Sequence, residues 1–183
     1  MTALAFFVPG KPQTAGSKTA VPMGSRMGVI EAGTKESRAR KKTWRGDLRD
    51  GALRAMEQLP VADLTELLDA PLAVTMVIVR RRPATHIRAN GTVKDWAAPL
   101  LPVQRPDTVK IVRAAEDALT GVLWDDDSQI VRHQLHKAFG DQAGLRAVSE
   151  GLFVAVDLAA LYSLTRLSEM GLSPADTRLE AAA

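Results

Sequence analysis

Leu72-Ala73-Val74-Thr75-Met76-Val77-Ile78-Val79, followed at once by Arg80-Arg81-Arg82-Pro83, decides how the chain is read. Eight continuous apolar or β-branched residues predict a central strand. The arginines and the proline that follow end it and set positive charge at the rim of the sheet. Outward toward the N-terminus, Leu4-Ala5-Phe6-Phe7-Val8 is a second short apolar run, closed by Pro9-Gly10, and predicts another strand. Between the two, Trp44, Leu48, Ala52, Ala55 and Leu59 recur every three or four residues, so a helix is expected over residues 37–59. Arg38, Lys42, Arg45 and Arg49 occupy the rest of that helix. A shorter helix is expected over residues 62–68. Residues 11–35, rich in Gly, Ser, Thr and Pro, and residues 84–105 predict long loops, a kind that is usually functional or disordered.

Outward toward the C-terminus, Asp107 stands before a helix over residues 108–119, whose Ile111, Ala115, Ala118 and Leu119 face the core. Gly121 follows as its cap. Asp125-Asp126-Asp127-Ser128 is a turn leading to a strand over residues 129–138, and a hairpin through Gly140 and Gly144 leads to a last strand at residues 152–156. Asp157 is positioned to cap a helix reaching Met170. The pattern is α/β: a small mixed sheet of about four strands, with the basic helix and the Asp107 helix packed on one face. Residues 1–157 form the predicted domain and 158–183 a C-terminal helix and tail. No internal repeat is visible.

The 183 residues suit one domain. No apolar run approaches 18 residues and no secretory signal opens the chain, so neither a membrane partner nor export is expected, and a cytoplasmic location is. With no cysteine, disulfides and thiolate metal sites are excluded. The net charge of +3 is unevenly divided: nineteen basic residues against ten acidic up to residue 113, then five against eleven. The basic excess lies in residues 35–54 and 80–113. Such clusters suit a polyphosphate partner, whose condensed counterions are released on binding, although a solvated basic face is an equally plain reading.

Asp107 before one helix and Asp126-Asp127 just after it could bring hard oxygen ligands together on one side of the sheet, without Cys and without need of His86, His133 or His136. That donor set points to Mg²⁺ or Mn²⁺ rather than Zn²⁺. Each residue also has a structural explanation. Asp107 suits an N-cap, Asp125 to Asp127 a polar turn, and Arg113 with Asp117 a surface ion pair.

Three runs add to this reading: Arg105-Pro106-Asp107-Thr108-Val109-Lys110-Ile111-Val112-Arg113, then Glu116-Asp117-Ala118-Leu119-Thr120-Gly121-Val122-Leu123-Trp124, then Asp126-Asp127-Ser128-Gln129-Ile130-Val131. In order and spacing they resemble the signature of RusA-type Holliday-junction resolvases. Val8-Pro9-Gly10-Lys11-Pro12, the basic first helix and the Arg-Pro end of the central strand fit the same layout. The resemblance implies a Mg²⁺-dependent endonuclease, with Mn²⁺ able to substitute. It would be a homodimer that resolves four-way DNA junctions by paired symmetric nicks in recombination and repair, often of phage or prophage origin. It implies catalytic roles for Asp107 and Asp127, with Asp126 as their acidic neighbour and Arg113 in place of a functional lysine.

Val109 departs from the pattern, for the family has an aspartate there. Positions 109 and 116 share a helix face two turns apart, about 20° around the axis, so Glu116 is a candidate replacement ligand, or else a partner of Arg113. The expected metal ligands are thus Asp107, Asp127 and Glu116. The expected DNA contacts are Lys11, Lys18, Arg80, Arg81, Arg82, Arg105, Lys110 and Arg113. The alternative is a catalytically weakened protein of the same fold that binds branched DNA without cutting it. Trp44, Trp96 and Trp124 are expected in the core or at its rim.

Overall fold

A computed structural model describes residues 4–15, 18–31, 33–60, 69–143 and 150–159. The 72–79 run forms β4 (Leu72–Arg80) at the interior of a four-stranded sheet whose other strands are β1 (Leu4–Pro9), β5 (Ile130–Phe139) and β6 (Gly151–Leu158). The strand order is β1-β6-β4-β5, with β4 parallel to β5 and antiparallel to β6. The expected hairpin between the last two strands is therefore absent: β4 lies between them. Asp157 sits inside β6 rather than capping a helix. The helices expected over residues 62–68 and up to Met170 lie outside the described residues.

Two helices cover one face, α1 (Lys35–Met56) and α2 (Thr108–Leu119). Thr34 caps α1, its hydroxyl accepting from the Ser37 N–H at 3.2 Å. Alternate residues of β4 (Leu72, Val74, Met76, Ile78) meet Trp44 and Leu48 of α1 and Ile111, Ala115 and Leu119 of α2 in one core. Each such side chain contributes about 1.5–3 kcal/mol by leaving water. Arg49 of α1 donates to the Ala118 carbonyl at 2.8 Å, which satisfies an end group of α2 and sets a cation at its negative pole. Gly121 follows α2 with φ +75°, the left-handed turn expected there. At Gly151 a Cβ would stand 2.5 Å from the Val8 carbonyl oxygen, so only glycine lets β1 and β6 pair at that point.

The predicted loop over residues 11–35 holds a two-stranded ribbon, β2 (Lys18–Met23) and β3 (Arg26–Glu31), turning at Gly24-Ser25. Its strands carry Pro22 and Gly28 and lack clean alternation, which hid them in the sequence. Residues 84–105 are irregular apart from two single 3₁₀ turns and one antiparallel bridge between Ile87 and Val93.

Candidate active site

Parallel pairing of β4 with β5 fixes where the acidic residues fall. In such a strand-helix-strand unit the helix runs back against both strands, so the two ends of α2 lie at opposite ends of the sheet. Twelve residues of helix separate them by about 18 Å.

At the N-terminal end, Asp107 occupies the N-cap position of α2 but makes no capping hydrogen bond, and its carboxylate is exposed. The plain explanation of this residue as a helix cap is therefore not realised. It borders an open groove of about 610 Å³ lined by residues 101–108 and Lys137. Lys137, on β5, donates to the carbonyls of Gln104 and Pro106. Burial lowers its pKa, with nearby Arg80 adding to the effect and Asp107 opposing it. The Lys137 ammonium thus holds the 104–107 segment against the sheet and lends positive charge beside Asp107.

At the C-terminal end stand Glu116, Asp127 and His133. Val74 pairs with His133 while Ile78 pairs with Lys137, which places His133 well down the strand from the Asp107 end. His133 Nε2 lies 2.9 Å from Glu116 Oε1. Oε1 is buried and has no other hydrogen-bond partner. Burial pushes the Glu116 carboxyl above the usual range; His133 works against that shift, while Asp127 and Asp117 reinforce it. A buried carboxylate with acceptor capacity beyond its one imidazole neighbour, beside a second carboxylate, is suited to accept a cation.

The loop that carries Asp127 is held from both sides. Trp124, fully buried, donates from Nε1 to Thr120 Oγ1 at 3.1 Å, and that hydroxyl donates to the Glu116 carbonyl. Asp126 accepts from the Ser128 N–H at 2.8 Å and Gln129 accepts from the Asp125 and Asp126 N–H groups, forming a capping box. The bond from Ser128 lowers the Asp126 pKa. Asp126 thereby fixes the turn, and Asp127 beside it is exposed.

The three expected metal ligands do not converge within one chain. Among the described residues no three His, Asp or Glu side chains lie close enough to hold a metal ion. Glu116 points to His133 rather than back toward Val109, which is exposed near Asp107. Its close polar partner is His133, not Arg113. Sequence reasoning set His133 aside. The signal that could have found it is its place on β5 opposite the 116 face of α2.

The cations divide too. Lys11, Arg81, Arg105, Lys110 and Arg113 are exposed. Arg80 is half-buried and paired with Glu150 at 3.2 Å. Arg82 is a correction: it is 6% exposed, bidentate to Asp141 at 2.7 and 2.8 Å, and donates to the Ala97 and Ala98 carbonyls. Its guanidinium, stacked 4.4 Å above the Phe139 ring, spends four of its five N–H donors on holding the 84–105 segment to the sheet rather than facing solvent. The Lys18 side chain lies outside the described residues. Of the tryptophans, Trp44 and Trp124 are core and Trp96 is exposed.

No helix among the described residues is long and apolar enough to cross a membrane. No curated protein matches the chain. Over residues 29–147, well over half of its length, the chain matches the family Endodeoxyribonuclease RusA. That span contains α1, β4, α2, β5 and both acidic ends of α2, and it bears out the resemblance read from the signature runs. With its mixed four-stranded sheet, the chain belongs to the RusA family of endodeoxyribonucleases, hydrolases that resolve Holliday junctions.

Proposed function

We propose that this chain resolves four-way DNA junctions as a divalent-metal-dependent homodimer, in which each site is completed by residues from both protomers. The observation that carries the reading is the division of the carboxylates between the two ends of α2. A two-fold axis supplies the missing half of each site. β5 is the outer strand of the sheet, and among the described residues its free edge pairs with no other strand. If two copies of β5 run antiparallel across the axis, the His133 end of one faces the Lys137 end of the other. Glu116 and Asp127 of one protomer then approach Asp107 of the partner subunit. A long free strand edge is otherwise a liability to aggregation, and such pairing removes it.

In that arrangement Glu116, Asp127 and the partner subunit's Asp107 would hold Mg²⁺ or Mn²⁺, hard cations matched to oxygen donors. The ion, when bound, supplies Lewis acidity at the scissile phosphate. The chain's own residues do the rest. Arg113, between the two ends of α2, grips phosphate oxygens through its planar fork and, being always protonated, does not serve as a base. Lys11, Arg81, Arg105 and Lys110 follow the backbone. His133 orients the Glu116 carboxylate. Two equivalent sites fit a substrate with two equivalent strands.

Val109, exposed where the family has an aspartate, favours the second reading, a branched-DNA binder with weakened cutting. One experiment separates them. A four-way junction incubated with protein and Mg²⁺ should yield paired symmetric nicks, linear duplex should stay intact, and Asp127→Asn should bind without cutting. Binding by the wild type with no nicks at any Mg²⁺ or Mn²⁺ concentration would reject the nuclease reading.

A further inference from the structure

The β2-β3 ribbon is apolar on both faces near its tip. Residues opposite each other in an antiparallel pair share a face, and neighbours along a strand alternate. Met23 pairs with Arg26, and Pro22 with Met27, so Met23 and Met27 point to opposite sides. They are 63% and 67% exposed. Met23 lies across Gly28, where a Cβ would stand 2.1 Å from its sulfur, so the missing side chain makes room for the methionine on that face. Among the described elements the two strands make their main contacts with each other.

A surface that docks a protein needs one apolar face. A thin ribbon with an apolar side chain on each face, about 10 Å through, fits a gap with an apolar wall on either side. Adjacent base steps that have come unstacked form such a gap, and apolar side chains, methionine among them, enter it. The charges agree with that occupant. Arg26 is at the tip, and the ribbon runs on toward the basic start of α1 with Lys35 and Arg38. The ribbon is also rooted beside the candidate site. The Ala15 N–H donates to the Lys110 carbonyl at 3.0 Å, three residues beyond Asp107. Ala15 precedes β2 by three residues, about 10 Å of chain at most.

We infer that the ribbon is a wedge: Met23 and Met27 enter the crossover of the junction, cover the exposed faces of its unstacked bases and hold it open for the carboxylates alongside. This rests on the junction-cutting reading. It accounts for how a protein with general phosphate contacts prefers a branch point, because only there are base faces available at low cost.

The test uses a four-way junction carrying 2-aminopurine at the exchange point. Full-length wild type bound in Ca²⁺ should raise its fluorescence severalfold. Met23→Ser/Met27→Ser should bind with comparable affinity, give little rise, and nick in Mg²⁺ about tenfold to a hundredfold more slowly. Met23→Leu/Met27→Leu should restore both, which separates the wedge from a ribbon that failed to fold. A fluorescence rise with the serine variant equal to wild type would overturn the wedge, as would a leucine variant as defective as the serine one. A wild type that opens the junction and never nicks it would support the wedge and reject the nuclease reading.

Discussion

Replacing Arg82 with alanine should loosen the whole 84–105 segment from the sheet. The side chain makes four hydrogen bonds, two to Asp141 and two to the carbonyls of Ala97 and Ala98. Hydrogen bonds to a charged group contribute about 1.5–3 kcal/mol each when buried. The Asp141 side chain is 43% exposed, however, so water replaces much of what it loses, and its share is discounted accordingly. The carbonyls and the Phe139 contact remain, giving a loss of about 3 kcal/mol. In a chain of this size that corresponds to a Tm lower by about 6–12 °C, read by circular dichroism. Arg82→Lys should recover less than half, lacking the fork.

The Arg82 hydrogen bonds hold the Asp141 carboxyl below its usual range. A carboxylate depressed in the folded state stabilises the protein above its unfolded pKa of about 3.9, and that stability disappears as pH falls through the lower folded value. Arg82→Ala should flatten the stability profile in that acid window. A loss under about 1 kcal/mol, with the acid limb unchanged, would show that Arg82 does not carry the segment.

Two further outcomes are expected. Burial raises the Glu116 pKa, so the folded protein holds that proton more tightly than the unfolded chain does. Stability should therefore fall as pH rises from the unfolded toward the folded pKa, and Glu116→Gln should melt higher than wild type at neutral pH while cutting less; an unchanged or lower Tm would count against a strained carboxylate. Lys110→Ala and Arg113→Ala should each weaken junction binding and reduce the slope of log K against log salt by about 1, whereas Arg82→Ala, if folded, should leave that slope alone.

The elements with strong local patterns were legible. The β-branched run at residues 72–79 and the apolar stripe of Ile111, Ala115 and Leu119 specify a strand and a helix whatever surrounds them. The order of strands was not, because placing β4 between β5 and β6 depends on the crossover through α2 and on no local signal. Among the arginines, Arg82 lies just past β4 and is buried by partners distant in sequence, Asp141, Ala97 and Ala98; charge counting treated all three as surface. The acidic residues were identified from the signature, yet their separation follows from elementary geometry, since a helix of twelve residues cannot bring its two ends together. The contact between Glu116 and His133 spans two elements and could be seen in neither alone.

Mixing two inactive variants tests the shared site most directly. Asp107→Asn and Asp127→Asn each disable both sites of a homodimer. In a mixed dimer with shared sites, one site receives both substitutions and the other receives neither. After confirmed subunit exchange, the mixture should nick four-way junctions at about a quarter of the wild-type rate, one strand per binding event. If each chain held a complete site, every dimer in the mixture would be dead. Exchanged dimers with no nicking, beside an active wild type, would contradict a site built from two protomers.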